Sequence, residues 1–333
     1  MSVCCPNCFK DRFLEKQILE YSEENGDCHY CQSTDVSIIN VNKLQDLFES
    51  IIDIYEVNES GISLSEALNI DWIIFNVDEL IANNLTSDIL NNKEILTIKY
   101  INRLEQISAN TWDNFKEDLK HNNRYFPNAS ELNKESLKDI IQDFPSFDYP
   151  KEVFRGRIND NHKVFSQDEM GKPPCKIATQ GRANPIGISY LYVASDENTA
   201  ISEIRPDKGD SVTIAEIKLP NGLRFLDARS LKTDISPFDY SDYALEGLYK
   251  NINILERFGE ELSKPVLPKE AHLEYIASQY LTELVKHYGF DGVLYKSSVG
   301  SGFNIVVFCD IELDILELKK CNITNTLIEF STE

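Results

Sequence analysis

Apolar positions follow two rhythms along the chain. From about 42 to 145 they return at spacings of three and four. Leu44, Leu47, Phe48, Ile51 and Ile52 form one stripe. Ala67, Leu68, Trp72, Ile73, Phe75 and Val77 follow after Gly61, and Tyr100, Leu104, Ile107, Trp112, Phe115 and Leu119 come last. This is the period of amphipathic helices, and it predicts a helical domain whose stripes are packing surfaces. Beyond 150 the rhythm changes to short apolar runs bounded by Gly, Pro and polar residues. Val153–Ile158, Ile188–Ala194, Ser211–Leu219, Leu223–Leu226, Phe290–Ser298 and Asn304–Phe308 read as strands.

Helices are read between these strands. Ser195 or Asp196 caps one that carries Thr199, Ala200 and Glu203 and ends at Pro206. A second covers 241–262, and a third runs from Glu270 to Tyr288 and stops at Gly289. The tail after 310 alternates and reads as an edge strand. Strands and helices mix without a regular βαβ repeat and without G-x-G-x-x-G, which argues against a Rossmann site. The expected class is α+β, with a small, strongly bent sheet. Asn123–Pro150, rich in Asn, Ser, Asp and Pro, marks a boundary. The expected domains are 1–38, 39–145 and 146–325.

Cysteine placement adds a metal site. Five of eight cysteines fall in the first 31 residues, among them the C-x2-C pairs Cys5–Cys8 and Cys28–Cys31. Two such knuckles suit a tetrahedral four-thiolate zinc site, closed and therefore structural. Cys4 and His29 are adjacent spares. The plainer reading is a staple for a small N-terminal unit that lacks a core of its own, and unmetallated or redox cysteines are the alternative.

Charge narrows the partners. The net charge is −22 over 333 residues, and the sequence pI is about 4.6. With no Lys/Arg run, nucleic-acid backbones and anionic membranes are disfavoured. No apolar stretch reaches the roughly 18 residues that span a bilayer. MSVCCPNCFKDR lacks an apolar signal core, so a cytoplasmic location is expected.

Chemistry-bearing residues gather around GRANPIGISYLYVASDENTAISEIRP, residues 181–206. Arg182 sits in its loop, Tyr190 and Tyr192 share one strand face, and Glu203 follows on the helix. Arg155 and Arg157 share a face of the strand before it. Ser297, Ser298 and Asn304 mark the tip of a late hairpin. Cations, aromatic rings and a carboxylate together suit a flat cationic ligand bearing phosphates. Taken singly, each has a plainer reading: strand tyrosines are usually core, a helix glutamate is usually solvated, and lone arginines are usually surface residues.

Three blocks, GRANPIGISYLYVA, TAISEIRP and YKSS…GFNIVVF, resemble the RES-domain family over roughly residues 150–310. The N-terminal knuckle and helices resemble the accessory domain of the HEPN/RES N-terminal type. The resemblance implies a fold like that of ADP-ribosyltransferase toxins and cleavage of the nicotinamide–ribose bond of NAD⁺, by phosphorolysis or hydrolysis. It also implies a bacterial toxin or anti-phage defence effector restrained by an antitoxin or another partner protein, with inorganic phosphate as a candidate co-substrate and a homo-oligomer left open. Arg155, Tyr192, Glu203 and Ser297 match the family's catalytic positions, and Arg157 and Arg182 the anion-facing surroundings. Arg155 and Arg182 would pair with the diphosphate. Tyr192, supported by Tyr190, would stack on the nicotinamide, and Glu203 would stabilise the cationic ribose. Ser297 would hydrogen-bond the ribose or fix Arg155. Lys296 departs from the small residue or Pro usual there, which leaves Ser297 and Ser298 both open, with Ser297 favoured. Ser298 and Asn304 complete the NAD⁺-binding set.

Two alternatives stand beside this reading. A protein ADP-ribosyltransferase would use the same site. An RNA-binding or RNA-cleaving protein would rest on Arg157 and His162, an R-x4-H pair that the net charge disfavours. The absence of a His/Asp pair near Ser297 makes a serine-hydrolase reading poor.

Overall fold

A computed structural model describes residues 2–128, 132–144, 149–160, 163–240, 242–267 and 269–325. These divide into two compact units, each discontinuous in sequence: 1–113 with 230–254, and 114–229 with 255–333.

The first unit opens with β1 (Val3–Cys4), α1 (Arg12–Tyr21), β2 (Glu24–Gly26) and β3 (Val36–Asn40). The strands form a small antiparallel sheet in the order β1-β3-β2. Asp11 caps α1 by accepting from Leu14 N at 2.9 Å. Next come α2 (Gln45–Ile52), β4 (Tyr55–Ile62), α3 (Leu64–Trp72), α4 (Glu79–Ile89), β5 (Tyr100–Asn102) and the start of α5 (Glu105–Glu117). Most of the three-and-four stripes become buried helix faces, with Phe48, Ile51, Leu68 and Trp72 almost fully enclosed.

Two details differ from the periodic reading. Tyr100 pairs with Val57 and Ile62 in the β4–β5 ribbon instead of starting a helix. Tyr55 is buried while Val57 is 68% exposed, so the short apolar alternation of β4 does not mark one buried face. Ile73 turns into the left-handed region at φ +55° and ends α3, leaving Phe75 and Val77 outside it.

Residues 230–254 belong to the same unit. Phe238 lies 6.3 Å from Phe13 and 5.4 Å from Phe48, ring to ring. Tyr249 meets Trp72 edge-on at 5.8 Å. Its hydroxyl donates to Asp71 Oδ1 at 3.3 Å, and Tyr55 and Asn102 donate to Oδ2 at 2.8 and 2.7 Å. This buried carboxylate is therefore compensated by hydrogen bonds.

The second unit holds α6 (Lys134–Asp143), β6 (Glu152–Ile158), β7 (Leu191–Ala194), α7 (Glu197–Ile204), β8 (Ser211–Lys218) and β9 (Phe225–Asp227). After α8 (Asp242–Ser263), α9 (Ala271–His287), β10 (Gly292–Lys296), β11 (Phe303–Val307) and β12 (Asp314–Asn322) complete it. One seven-stranded mixed sheet runs β12-β8-β6-β7-β11-β10-β9, antiparallel except for β9 with β10. Val153, Leu191, Val193, Ala215, Ile217, Phe225, Leu294, Ile305 and Val307 form its core. The β10–β11 hairpin and the β12 edge strand stand where the sequence placed them.

β7 is shorter than the apolar run that announces it. The Asn184 amide donates to the carbonyls of Thr179, Pro185 and Ile188 at 2.9, 3.2 and 2.8 Å. It thereby holds the chain in a loop, and the strand begins only at Leu191. α7 begins at its Asp196 cap, which accepts from Thr199 N at 2.8 Å, and ends at Arg205 in the left-handed region. Gly156 lets α7 lie close on β6: a Cβ there would sit 3.0 Å from Ala200 O.

Candidate functional site

One cavity of about 340 Å³ opens in the second unit where β6, β7, β10, β11, α7 and α9 converge. Its wall includes Arg155, Arg182, Tyr192, Glu203 and Asn304, residues that the sequence spreads over 150 positions.

Glu203 faces it from α7. Ser297 Oγ donates to its Oε1 at 2.7 Å, and Asn304 Nδ2 donates to the same atom at 2.6 Å. Val299 N and Gly300 N donate in turn to Ser297 Oγ, at 3.2 and 3.0 Å. That chain of donors fixes the hydroxyl just beyond the end of β10. Ser298 is exposed, and it is Ser297 that meets the carboxylate.

Arg155 projects from β6. Its Nη1 donates to Tyr192 O at 3.0 Å, while its buried Nε has no protein partner. No described carboxylate lies within salt-bridge distance of it. Burial, and then the neighbouring Arg157 charge, push its pKa down to about 10. A cation held this way is a standing demand for an anion.

Arg157 does not line the cavity. Its Nη2 donates to Gly171 O at 3.1 Å and its guanidinium lies 5.2 Å from the Phe165 ring centre. Arg182 lines the cavity, with Nη1 bonded to Leu262 O at 2.6 Å.

Tyr192 is held at its hydroxyl, which donates to Asn184 Oδ1 at 2.7 Å and accepts from Ala183 N at 3.2 Å. Burial raises its pKa. Tyr190 sits apart from the cavity wall, tilted against Phe308 at 4.9 Å with Lys286 Nζ 5.0 Å from its ring. His162 lies outside the described residues.

Several wall residues carry no signal in the strand pattern: Phe154, Gln180 and Tyr275. Tyr295 joins them from β10, 4% exposed. Around the cavity, Gln279 Nε2 donates to Gly181 O at 2.9 Å and Asn184 O at 3.0 Å, and Ser278 Oγ donates to Arg182 O at 2.6 Å. The signal that finds these is a second stripe on α9: Tyr275, Ser278, Gln279 and Thr282 recur at three and four, polar and largely buried.

The first unit carries a separate cluster. The Sγ atoms of Cys5, Cys8, Cys28 and Cys31 lie within 4.8 Å of one another, with Cys5 to Cys31 at 3.3 Å and Cys8 to Cys28 at 3.4 Å. Thiolates about 2.3 Å from a tetrahedral zinc stand roughly 3.8 Å apart, so this donor set fits a metal ion. Cys4 is buried outside the set, and His29 Nδ1 accepts from Val3 N at 3.3 Å.

No curated protein sequence matches the chain. The solved M. tuberculosis MbcT–MbcA toxin–antitoxin complex is similar in structure, at 11% identity over 56% of this chain and 93% of that one, with a TM-score of 0.34. Residues 156–320 match the family model of the RES domain. That match begins at Gly156, just after Arg155 on β6, and runs into β12, and the chain carries a RES domain.

Proposed function

We propose that this chain is a toxin that breaks the nicotinamide–ribose bond of NAD⁺ and passes the ADP-ribose to phosphate or water. The observation that supports this most directly is the pairing, across one cavity, of a buried arginine lacking a counter-charge with a carboxylate held by two donors. Arg155, with Arg182 on the same wall, suits the diphosphate, since a guanidinium fork binds phosphate oxygens in pairs. Tyr192 and its tyrosine neighbours offer flat faces to a cationic ring. As the bond breaks, nicotinamide leaves with the bonding pair and positive charge builds on the ribose. Glu203 stabilises that charge at its fixed position, a contribution on the order of a hundredfold in rate.

In this reading residues 146–325 form the catalytic domain and 39–145 the accessory domain, with a cytoplasmic location and an antitoxin-type partner. Zinc on Cys5, Cys8, Cys28 and Cys31 is structural, because four protein thiolates leave no open position. No helix among the described residues is long and apolar enough to cross a membrane.

The test is nicotinamide release from NAD⁺ with and without phosphate, comparing wild type with Glu203→Gln. Mass spectrometry of the product separates ADP-ribose 1-phosphate from ADP-ribose, and label retained on protein would identify a transferase. A wild type that releases no nicotinamide, or a variant that releases it equally well, overturns the proposal.

A further inference from the structure

We infer that Asn304 is a positioning residue for Glu203, holding one carboxylate oxygen so that the other faces the substrate. This rests on the proposed cleavage reaction. Asn304 lies on β11, opposite Ala194 of β7 and Tyr295 of β10. It is 5% exposed, so its amide is committed to the interior. The amide nitrogen lies 2.6 Å from Glu203 Oε1, the atom that also accepts from Ser297 Oγ at 2.7 Å. An amide nitrogen donates and does not accept, so this contact suits a carboxylate oxygen. Two donors, one on β11 and one just beyond the end of β10, fix Oε1 in space. No described residue donates to Oε2, and no described cation pairs with Glu203. The carboxylate is thereby oriented, with its free oxygen left for the ribose hydroxyl and the developing charge.

Glu203 sits on a two-turn helix, and its side chain has three rotatable bonds. Such a group reaches many positions unless something stops it. Ser297 alone would leave it free to swing about one hydrogen bond. A second donor on the same oxygen removes that freedom before substrate arrives, and a misplacement of about 1 Å costs on the order of a hundredfold in rate.

The experiment compares wild type, Glu203→Gln, Asn304→Leu and Asn304→Asp in steady-state nicotinamide release across pH, with thermal unfolding of each. Asn304→Leu keeps the branched shape and removes the donor; its kcat falls roughly tenfold to a hundredfold while KM stays within about threefold. Asn304→Asp sets a second carboxylate against Oε1, so it matches the Leu variant at neutral pH. At acidic pH the introduced carboxyl takes up a proton and becomes a donor, so activity relative to wild type recovers. Arg155, Arg182, Tyr192, Tyr275 and Tyr295 also line the cavity, and they are common to all four proteins. If Asn304→Leu does not fold, the acid recovery of Asn304→Asp decides alone. Wild-type kinetics in Asn304→Leu, or an Asn304→Asp profile without acid recovery, overturns the inference while an active wild type and an inactive Glu203→Gln leave the cleavage reading standing. An inactive wild type overturns both.

Discussion

Gln279 on α9 and Gly181 in the loop before β7 are joined by a 2.9 Å hydrogen bond across 98 positions of sequence. The bond bolts the cavity's most irregular wall to its longest flanking helix. Gly181 has no room to change: a Cβ there would lie 2.5 Å from Asn184 Oδ1 and 2.6 Å from the Tyr192 hydroxyl. Gly181→Ala therefore displaces Tyr192. We expect kcat/KM for nicotinamide release to fall about tenfold or more, with a stability loss of about 1–3 kcal/mol from overpacking, read by thermal unfolding. Unchanged kinetics would show that Tyr192 has no fixed role.

Arg155 gives a prediction about stability without ligand. Its folded pKa of about 10 lies below the usual 12.5, because burial penalises the charged form. The unfolded chain thus holds this proton more tightly, and the residue's contribution to stability rises as pH climbs from 10 towards 12.5. At neutral pH the buried charge is a cost. Arg155→Met is expected to unfold at the same temperature as wild type or a higher one. Pyrophosphate or ADP-ribose at a hundred times its Kd stabilises wild type by about 2.7 kcal/mol, and that shift disappears in Arg155→Met.

The four thiolates predict one zinc per chain by elemental analysis. Cys8→Ser and Cys28→Ser should each abolish it. A strong chelator should lower the thermal stability of the first unit by several kcal/mol, since metal binding is coupled to folding. Metal-free protein of unchanged stability would rule out a structural metal.

Lys120 and Glu274 supply a pH dependence. Their side chains meet at 2.6 Å with little exposure, 9% for Lys120 and 28% for Glu274. The hydrogen bond from Lys120 is the main cause holding the Glu274 carboxyl below its usual value of 4.5. A depressed carboxyl pKa contributes stability above pH 4.5 that is lost as pH falls through the folded value. Lys120→Met should cost about 1–3 kcal/mol near neutrality and flatten the acid limb of the stability profile. A wild-type acid limb in the variant would place the dependence elsewhere.

The elements of the second unit were legible because they are punctuated. Pro206, Gly289 and the Gly300–Gly302 turn fall where α7, α9 and β10 end, and their chemistry is local. The β4–β5 ribbon was not legible, because its short alternations, Tyr55/Val57 and Ile98/Tyr100, lie within a region whose longer stripes repeat at three and four. Arg155, Tyr192, Glu203 and Ser297 could be singled out through family resemblance. Their contacts could not, since a hydrogen bond between residues 203 and 304 leaves no trace in spacing. Arg157 shows the limit of strand alternation: it shares a face with Arg155, yet its long side chain bends to Gly171 and Phe165. Gln279 and Tyr275 lay hidden in a helix whose apolar stripe drew attention to its other side.

Residues 230–254 fall between β9 and β10 of the sheet around the cavity, yet they pack with 1–113. A fragment cut at 146 would keep Phe238 and Tyr249 while discarding Phe13, Phe48, Trp72 and Asp71, the groups they pack against. Such a fragment would present bare aromatic surface and tend to clump. The half that carries the cavity is thus not a portable cassette. Evolution can retune the amino-terminal half, but it cannot delete that half without also rebuilding residues 230–254.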